Sequence, residues 1–562
     1  MKRFAKRILL LLLVPASFLW WGFSDDFFQI ARQLDLMAGV YREVNAVYVD
    51  DVNPGSLMKS GIDGMLKSLD PYTNYYPESE IEDYRMKHVS SEYGGIGASS
   101  IRNGDSVLIY EVTEGYPAQQ AGLRAGDRLL EVNGRSISGL SPQEIDDMVK
   151  GQAGTMVRLL VERPGASATI PLSITRGEIK SKNVPYYAMI DDSTGYIKLE
   201  KFLQDCYSET RNALVELQKN QGMTSLVFDL RGNGGGLLEE SVNILNLFLQ
   251  KDLPLVRQEG KTSGSNNTYK TRNEPIAEDL RVVVLIDKSS ASASEITAGN
   301  FQDLDRGVVV GQRSFGKGLV QQTRNLTYNA QMKLTVAKYY TASGRCVQTR
   351  VYRHRSDEDG SFYEIPDSLL KAFKTRNGRT VYDGSAVYPD VYVSLPDTAT
   401  LTKSLVRNLL IFDFASLYRS KHDTIGGASD FRLSDGDYRE FVAFLSGRTY
   451  TYATQSEKAF ESLKEASLRE KYFASTDRDL IALGTALRHD RAEDLRLFSP
   501  EIKQFLQQEI VSRYHFQRGR FEYMFKHDPV FLEGLGIAHD PARYASILRG
   551  DGQYKVIGKP RR

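Results

Sequence analysis

Ser225-Leu226-Val227-Phe228-Asp229-Leu230-Arg231-Gly232-Asn233-Gly234-Gly235-Gly236-Leu237-Leu238 passes from an apolar run through a glycine-rich turn into a new apolar pattern. The run from Ser225 to Leu230 lacks polar alternation and reads as a strand buried on both faces, and a helix through Phe248 follows the glycines. Strand, loop and helix in that order predict an α/β core. A phosphate-binding loop is one meaning of such a glycine run, but no lysine follows it, so a Walker-type loop is excluded. The loop does offer backbone N–H groups at a helix start, where the positive end of the helix dipole favours negative charge. Those are the requirements of an oxyanion hole.

Toward the C-terminus, a strand over Arg281 to Ile286 leads into Ser289-Ser290-Ala291-Ser292-Ala293-Ser294-Glu295-Ile296 and a helix through about Asn300. Taken alone, Ser292 at that helix start is an N-cap, for which serine is among the preferred residues. Lys317 follows in Phe315-Gly316-Lys317-Gly318, and no histidine lies between His88 and His354. A serine nucleophile in this stretch has no local imidazole, so a lysine base is the expected replacement. A free lysine with pKa about 10.4 is protonated at neutral pH. Desolvation between the glycine-rich segments, with no carboxylate beside it in the motif, is expected to lower that value. Toward the N-terminus, Gly195 to Leu199 reads as a strand, and Ser208 is the expected cap of a helix running to about Asn220.

Val184-Pro185 with the Gly-Tyr-Ile strand, the Asp229 to Leu237 loop, Ser-Ala-Ser-Ala-Ser-Glu-Ile and Gly316-Lys317-Gly318-x-x-Gln321 together resemble the C-terminal processing peptidases, also called tail-specific proteases. Tyr339-Tyr340-Thr341-x-Ser343-Gly344-Arg345 and Val387-x-Pro389-Asp390 extend the likeness, which spans roughly Asp26 to Leu395. The resemblance implies a multidomain α/β protein with a crotonase- or Clp-protease-like core, acting as a serine endopeptidase through an acyl-enzyme. By motif it assigns the nucleophile to Ser292, the base to Lys317, a lysine-orienting role to Gln321, and oxyanion donors to the amides of Gly235 and Ala293. It calls for no cofactor and no metal. Gly234 departs from the proline of many relatives, and an insertion from about Val351 to Arg379, charged and glycine-containing, reads as a surface excursion. An inactive peptide-binding scaffold and a small-ligand carrier are the competing functions. Retention of Ser292, Lys317 and Gln321 together argues against the scaffold.

Between the N-terminal region and this core, Tyr93-Gly94-Gly95-Ile96-Gly97 is followed by β-like runs at Val107 to Val112, Arg128 to Val132 and Met156 to Glu162. With Ala121-Gly122-Leu123-Arg124-Ala125-Gly126-Asp127 and Val132-Asn133-Gly134, the segment from about Ser90 to Glu178 resembles a PDZ domain. Such a module adds a peptide to a sheet edge. Gly95 and Gly97 would leave amides uncrowded for a C-terminal carboxylate, Ile96 to Ile101 would supply the strand, and a helix from Pro142 to Lys150 the wall, through Ile145 and Met148. Substrates with apolar C-termini are the expected partners. The plain alternative is that the glycines only make a tight turn.

The remaining segments frame these two. Lys2, Arg3, Lys6 and Arg7 precede an apolar run from Ile8 to Phe23, the pattern of an export signal over residues 1–24. Its length is short of the roughly twenty residues of a membrane span, although Trp20 and Trp21 suit an interface, so cleavage and inner-membrane anchoring both stand. Residues 25–88 read as a small helical domain with helices from Asp26 to Tyr48 and Pro54 to Leu69, ending at Asp70-Pro71-Tyr72-Thr73-Asn74. The PDZ-like segment then covers 90–178 and the peptidase core 179–395. Residues 396–562 read as helical, with helices over Thr402 to Arg419, Asp435 to Leu445, Thr454 to Tyr472 and Pro500 to Tyr514, the last capped by Ser499. Two cysteines, Cys206 and Cys346, give no disulfide framework, and the histidines show no metal-ligand spacing. A net charge of +1 over 562 residues gives no reason to propose nucleic acid as a partner, and none is expected. An exported, periplasmic enzyme is the expectation, with an adaptor protein and a homo-oligomer left open as partners.

Overall fold

The computed structural model describes residues 27–81, 84–85, 92–355, 362–470, 473–487 and 490–558. The signal or anchor expected over residues 1–24 lies outside them. Among the described residues no helix is long and apolar enough to cross a membrane.

The chain divides into two compact units. The larger carries a six-stranded sheet whose strands lie in chain order: β1 Tyr186–Met189, β2 Thr194–Lys198, β3 Ser225–Asp229, β4 Arg281–Ile286, β5 Gly307–Gly311 and β6 Val391–Tyr392. β1 runs antiparallel to β2, and every later pairing is parallel. Parallel neighbours need crossovers. Helices α1 Cys206–Gln221, α2 Leu238–Leu245 and α3 Ala293–Asp303 lie on the links from β2 to β3, β3 to β4 and β4 to β5.

The unbroken apolar character of these strands follows from burial on both faces. Ile197, Leu226, Phe228, Val282, Val284 and Val309 point to one side, into a core shared with Leu214, Leu245, Ile296 and Phe301 of the crossover helices. Their neighbours Tyr196, Val227, Val283, Leu285, Val308 and Val310 point to the other. That second face is covered by Val530, Phe531, Ile537, Tyr544 and Ile547, from helices Pro529–His539 and Pro541–Arg549. The C-terminal region is therefore divided in role. Its last two helices complete the sheet's second layer, whereas Leu405, Phe414, Phe441, Ile502, Leu506 and Ile510 form a separate helical core.

Several boundaries differ from the sequence reading. α1 begins at Cys206 behind Asp205, whose φ of 67° is left-handed, so Ser208 lies inside the helix instead of capping it. The helix expected over 402–419 is broken at Leu409, with φ 57°. Phe498, not Ser499, occupies the cap of the helix Ser499–His527, which continues past Tyr514 across a kink at Phe516. The insertion ending at Arg379 is not wholly a surface excursion. Arg379 is buried and pairs with Asp305 at 2.6 Å and Asp390 at 2.7 Å, so part of its charge is neutralised inside the fold.

The PDZ-like segment forms its own sheet, in which Ala98–Asn103 is an edge strand beside Ser106–Val112. The smaller unit holds a helix over 27–47 and the helix Pro54–Lys67, capped by Asn53 accepting from the Ser56 N–H at 2.9 Å. It is not purely the N-terminal segment. Asn74–Tyr76 pairs antiparallel with Gln331 to Lys333, because residues 321–336 belong to the same unit.

Candidate active site

Ser292 stands where β4 has ended and α3 begins, with φ 55° and ψ −110°. A β-carbon-bearing residue in that region is strained, at a cost of about 1–3 kcal/mol, and persists only where surrounding contacts over-determine it. Those contacts are present. The Ala291 N–H donates to the Asn233 carbonyl at 3.0 Å, Ser294 Oγ donates to the same oxygen at 2.8 Å, and Ser290 Oγ donates to the Leu230 carbonyl at 2.9 Å. The Ser292 turn is thereby tied to the glycine loop. At Gly235, with φ 96°, an added β-carbon would meet the Ala291 carbonyl oxygen at 2.7 Å and the Ala293 nitrogen at 2.9 Å, so only glycine allows this approach.

The glycine loop is set in turn by the end of β3. Asp229 is buried among Tyr196, Lys198 and Arg231, accepting from Tyr196 Oη at 2.8 Å and from Arg231 Nη2 at 2.7 Å. Arg231 also pairs with Asp528 at 2.7 Å, the residue that caps the helix Pro529–His539. Burial opposes ionisation of Asp229, but the charges of Arg231 and Lys198 outweigh it and hold its carboxyl well below the usual range.

The Gly235 amide, expected to be an oxyanion donor, is occupied in this conformation: it donates to Asn233 Oδ1 at 2.9 Å. The short turn from Asn233 to Gly235 lets the side chain reach that N–H, a competition the glycine pattern alone did not reveal. The next amide, that of Gly236, has no protein acceptor among the described residues. The Ala293 amide is in the first turn of α3, where a helix supplies no partner of its own.

Glu295 brings the serine and lysine segments together. It is completely buried, and its two oxygens accept four hydrogen bonds. Oε2 accepts from the Ser292 N–H at 2.9 Å and the Lys317 N–H at 2.8 Å. Oε1 accepts from Ser314 Oγ at 2.5 Å and the Gly316 N–H at 2.7 Å. Burial pushes its pKa up, partly offset by those donors. Tyr339, also buried, donates through its hydroxyl to the Lys317 carbonyl at 2.9 Å and the Ser292 carbonyl at 3.2 Å. Burial raises its pKa far above the usual phenol value, so the hydroxyl remains a donor. Lys317 and Ser292 are both half-buried.

A carboxylate does reach the lysine segment, at the Lys317 backbone N–H. Glu295 sits three residues after Ser292 and reaches the lysine loop only through folding. Its signal was legible as a Ser-x-x-Glu capping box. Nothing in the sequence distinguished the role of Tyr339 from core packing. Gln321 belongs to the smaller unit, where its Nε2 donates to Thr335 Oγ1 at 3.2 Å. Thr335 is linked through Thr73 Oγ1 to Asp70, whose carboxylate also accepts from the Tyr72 and Thr73 amides. Among the described residues no cluster of His, Cys, Asp and Glu could hold a metal ion.

In the PDZ-like segment, Gly95 and Gly97 are buried, and Ile96 and Ile145 lie within the domain's core, with Met148 half-buried against them. The Ile96 and Gly97 carbonyls accept from the Ala118 and Thr113 amides at 2.8 and 2.9 Å. The outer edge of Ala98–Asn103 has no neighbouring strand among the described residues. Arg102 on that strand donates to the Leu140 carbonyl, just ahead of the helix Pro142–Val149.

Residues 193–354 match the description "Peptidase family S41", residues 108–163 "PDZ domain", and residues 401–537 "Probable PDZ-protease, C-terminal helical domain". The carboxy-terminal-processing protease of Bartonella bacilliformis is 32% identical over 320 residues, 56% of this chain and 73% of that protein. A probable CtpA-like serine protease of Staphylococcus haemolyticus is 34% identical over 326 residues, 58% of this chain and 64% of its own length. Among solved structures, a photosystem II D1 C-terminal processing protease is similar at 26% identity, covering 64% of this chain and 92% of that one, with TM-score 0.34. The class is that of a serine-type endopeptidase carrying a PDZ domain. Within it, the chain belongs to peptidase family S41, with the carboxy-terminal-processing proteases.

Proposed function

We propose that this is an exported endopeptidase that engages the C-terminal tails of its substrates through the PDZ domain and cleaves them with a Ser292-Lys317 dyad. The observation that carries this reading is the convergence of both residues' amides on one carboxylate oxygen, Glu295 Oε2. Residues 25 positions apart are not brought to one acceptor by helix capping alone.

In the proposed reaction Lys317 Nζ takes the proton of Ser292 Oγ as that oxygen attacks the scissile carbonyl. The developing oxyanion is held by the Ala293 amide at the start of α3, with Gly236 as second donor in place of Gly235. Lys317 then passes the proton to the leaving amine, and the acyl group remains on Ser292 as an ester. Water, deprotonated by Lys317, hydrolyses that ester and restores both residues. The family motif gives Gln321 the task of orienting the lysine amine, which a neutral amide performs without adding charge. Tail recognition is supported by the edge strand Ala98–Asn103, which has no outer neighbour among the described residues and to which an extended peptide would add as a strand. Export is supported by the basic and apolar N-terminal sequence.

The test is single-turnover and steady-state cleavage of an unstructured peptide with an apolar C-terminus. Ser292→Ala and Lys317→Ala should each lose on the order of 10³-fold or more in kcat. Undiminished cleavage by purified Ser292→Ala would refute the assignment.

A further inference from the structure

We propose that Glu295 and Tyr339 act as a two-sided clamp that fixes the nucleophile relative to the base, and are positioning residues for the reaction. The inference rests on the Ser292-Lys317 reading. Each of those two residues is held at both ends of its backbone unit by the same pair of side chains. Glu295 Oε2 gathers their N–H groups, at 2.9 and 2.8 Å, and Tyr339 Oη reaches their carbonyl oxygens, at 3.2 and 2.9 Å. With both peptide groups anchored, the Cα atoms of the pair are fixed, and only side-chain rotation remains to align Oγ with Nζ.

The plainer reading of Glu295 is a capping residue for α3, since it bonds the N-cap amide. That role needs one hydrogen bond at a helix end. It does not account for complete burial of a carboxylate, which is unfavourable unless its lone pairs are satisfied. Nor does it account for the two amides and one hydroxyl that reach Glu295 from residues 314–317. The plainer reading of Tyr339 is core packing, which its ring serves equally without the hydroxyl. Yet the hydroxyl is directed at the two carbonyls that belong to the dyad residues.

Two isosteric variants of the full-length protein separate these readings. Glu295→Gln keeps size but replaces one acceptor oxygen with an NH2 group, so amides that now donate to it face a donor. Tyr339→Phe keeps the ring and deletes only the bridging hydroxyl. For reacting groups, a displacement of 1 Å costs on the order of 10²-fold. Tyr339→Phe should therefore lower kcat by roughly 10-fold or more and Glu295→Gln by roughly 100-fold, with KM changed less than about 3-fold. The limb of the pH-rate profile that reports the lysine base should move in Tyr339→Phe. The double variant should lose little beyond Glu295→Gln alone, because residues acting as a unit are not additive.

A merely structural role predicts the opposite: a lower melting temperature, with kcat of the folded enzyme and the position of that limb unchanged. That result overturns the clamp. Ser292→Ala is measured alongside. If it is inactive while Tyr339→Phe and Glu295→Gln retain full kcat, the clamp is wrong and the dyad stands; if it cleaves, the dyad reading itself fails and the clamp with it. Should Glu295→Gln not fold, Tyr339→Phe decides the matter alone.

Discussion

Replacing Gly235 with alanine probes how closely the glycine loop is fitted to the Ser292 turn. The new β-carbon would lie 2.7 Å from the Ala291 carbonyl oxygen, 2.9 Å from the Ala293 nitrogen and 2.9 Å from Ser292 Cβ. None of these atoms can swing away by a change of rotamer. Ordinary contact begins near 3.4 Å, so the neighbouring segments must retreat by roughly 0.5–0.7 Å. Overpacking of this kind costs about 1–3 kcal/mol. An L-residue held at φ 96° is strained further, by roughly 1–2 kcal/mol. Gly235→Ala should thus lose about 2–5 kcal/mol of stability. Because the displaced atoms belong to Ser292 and its neighbours, kcat should also fall by on the order of 10-fold or more, even well below the melting temperature. Thermal denaturation followed by circular dichroism, together with peptide-cleavage kinetics at a low temperature, reads both effects. Wild-type kcat and melting temperature in this variant would mean that the loop has slack that the contacts deny.

Two further outcomes follow from charge and recognition. Asp229 has a depressed folded pKa, so its stabilisation is present above its unfolded pKa and is lost as pH falls through the folded one. Asp229→Asn should cost about 3–5 kcal/mol at neutral pH in chemical denaturation, with the gap from wild type holding down to about pH 4 and closing only below it; a gap already closed at pH 6 contradicts the assignment. Amidating the C-terminus of an otherwise identical peptide should raise KM by roughly 10-fold or more, the loss of a charge-assisted set of hydrogen bonds, whereas equal cleavage of both forms rules out carboxylate recognition.

The parts of the fold legible in the sequence were those where one physical signal dominated. Unbroken apolar runs such as Ser225 to Leu230 and Arg281 to Ile286 announced strands covered on both faces. What the pattern could not show was which element covers the second face. Helices Pro529–His539 and Pro541–Arg549 come more than two hundred residues after β4, and their apolar residues look like those of any packed helix. The site divides in the same way. Ser292, Lys317 and the glycine loop carry motif spacing. Glu295 shows locally only as a Ser-x-x-Glu capping box, which says nothing of its bonds to residues 314–317, and the Tyr339 hydroxyl has no local signature at all. The Gly235 amide shows the same division. Glycine spacing shows that a backbone can approach closely, but not which neighbour, here Asn233, has already claimed its N–H.

In the proposed mechanism the acyl group of the substrate passes to Ser292. Acid-quenching the full-length enzyme during turnover of an unstructured peptide, then locating the added mass by peptide mapping, tests it directly. The expected result is an acyl adduct on the fragment containing Ser292, slower to form in Lys317→Ala and missing in Ser292→Ala. An adduct on any other residue, or continued cleavage by Ser292→Ala, would contradict it.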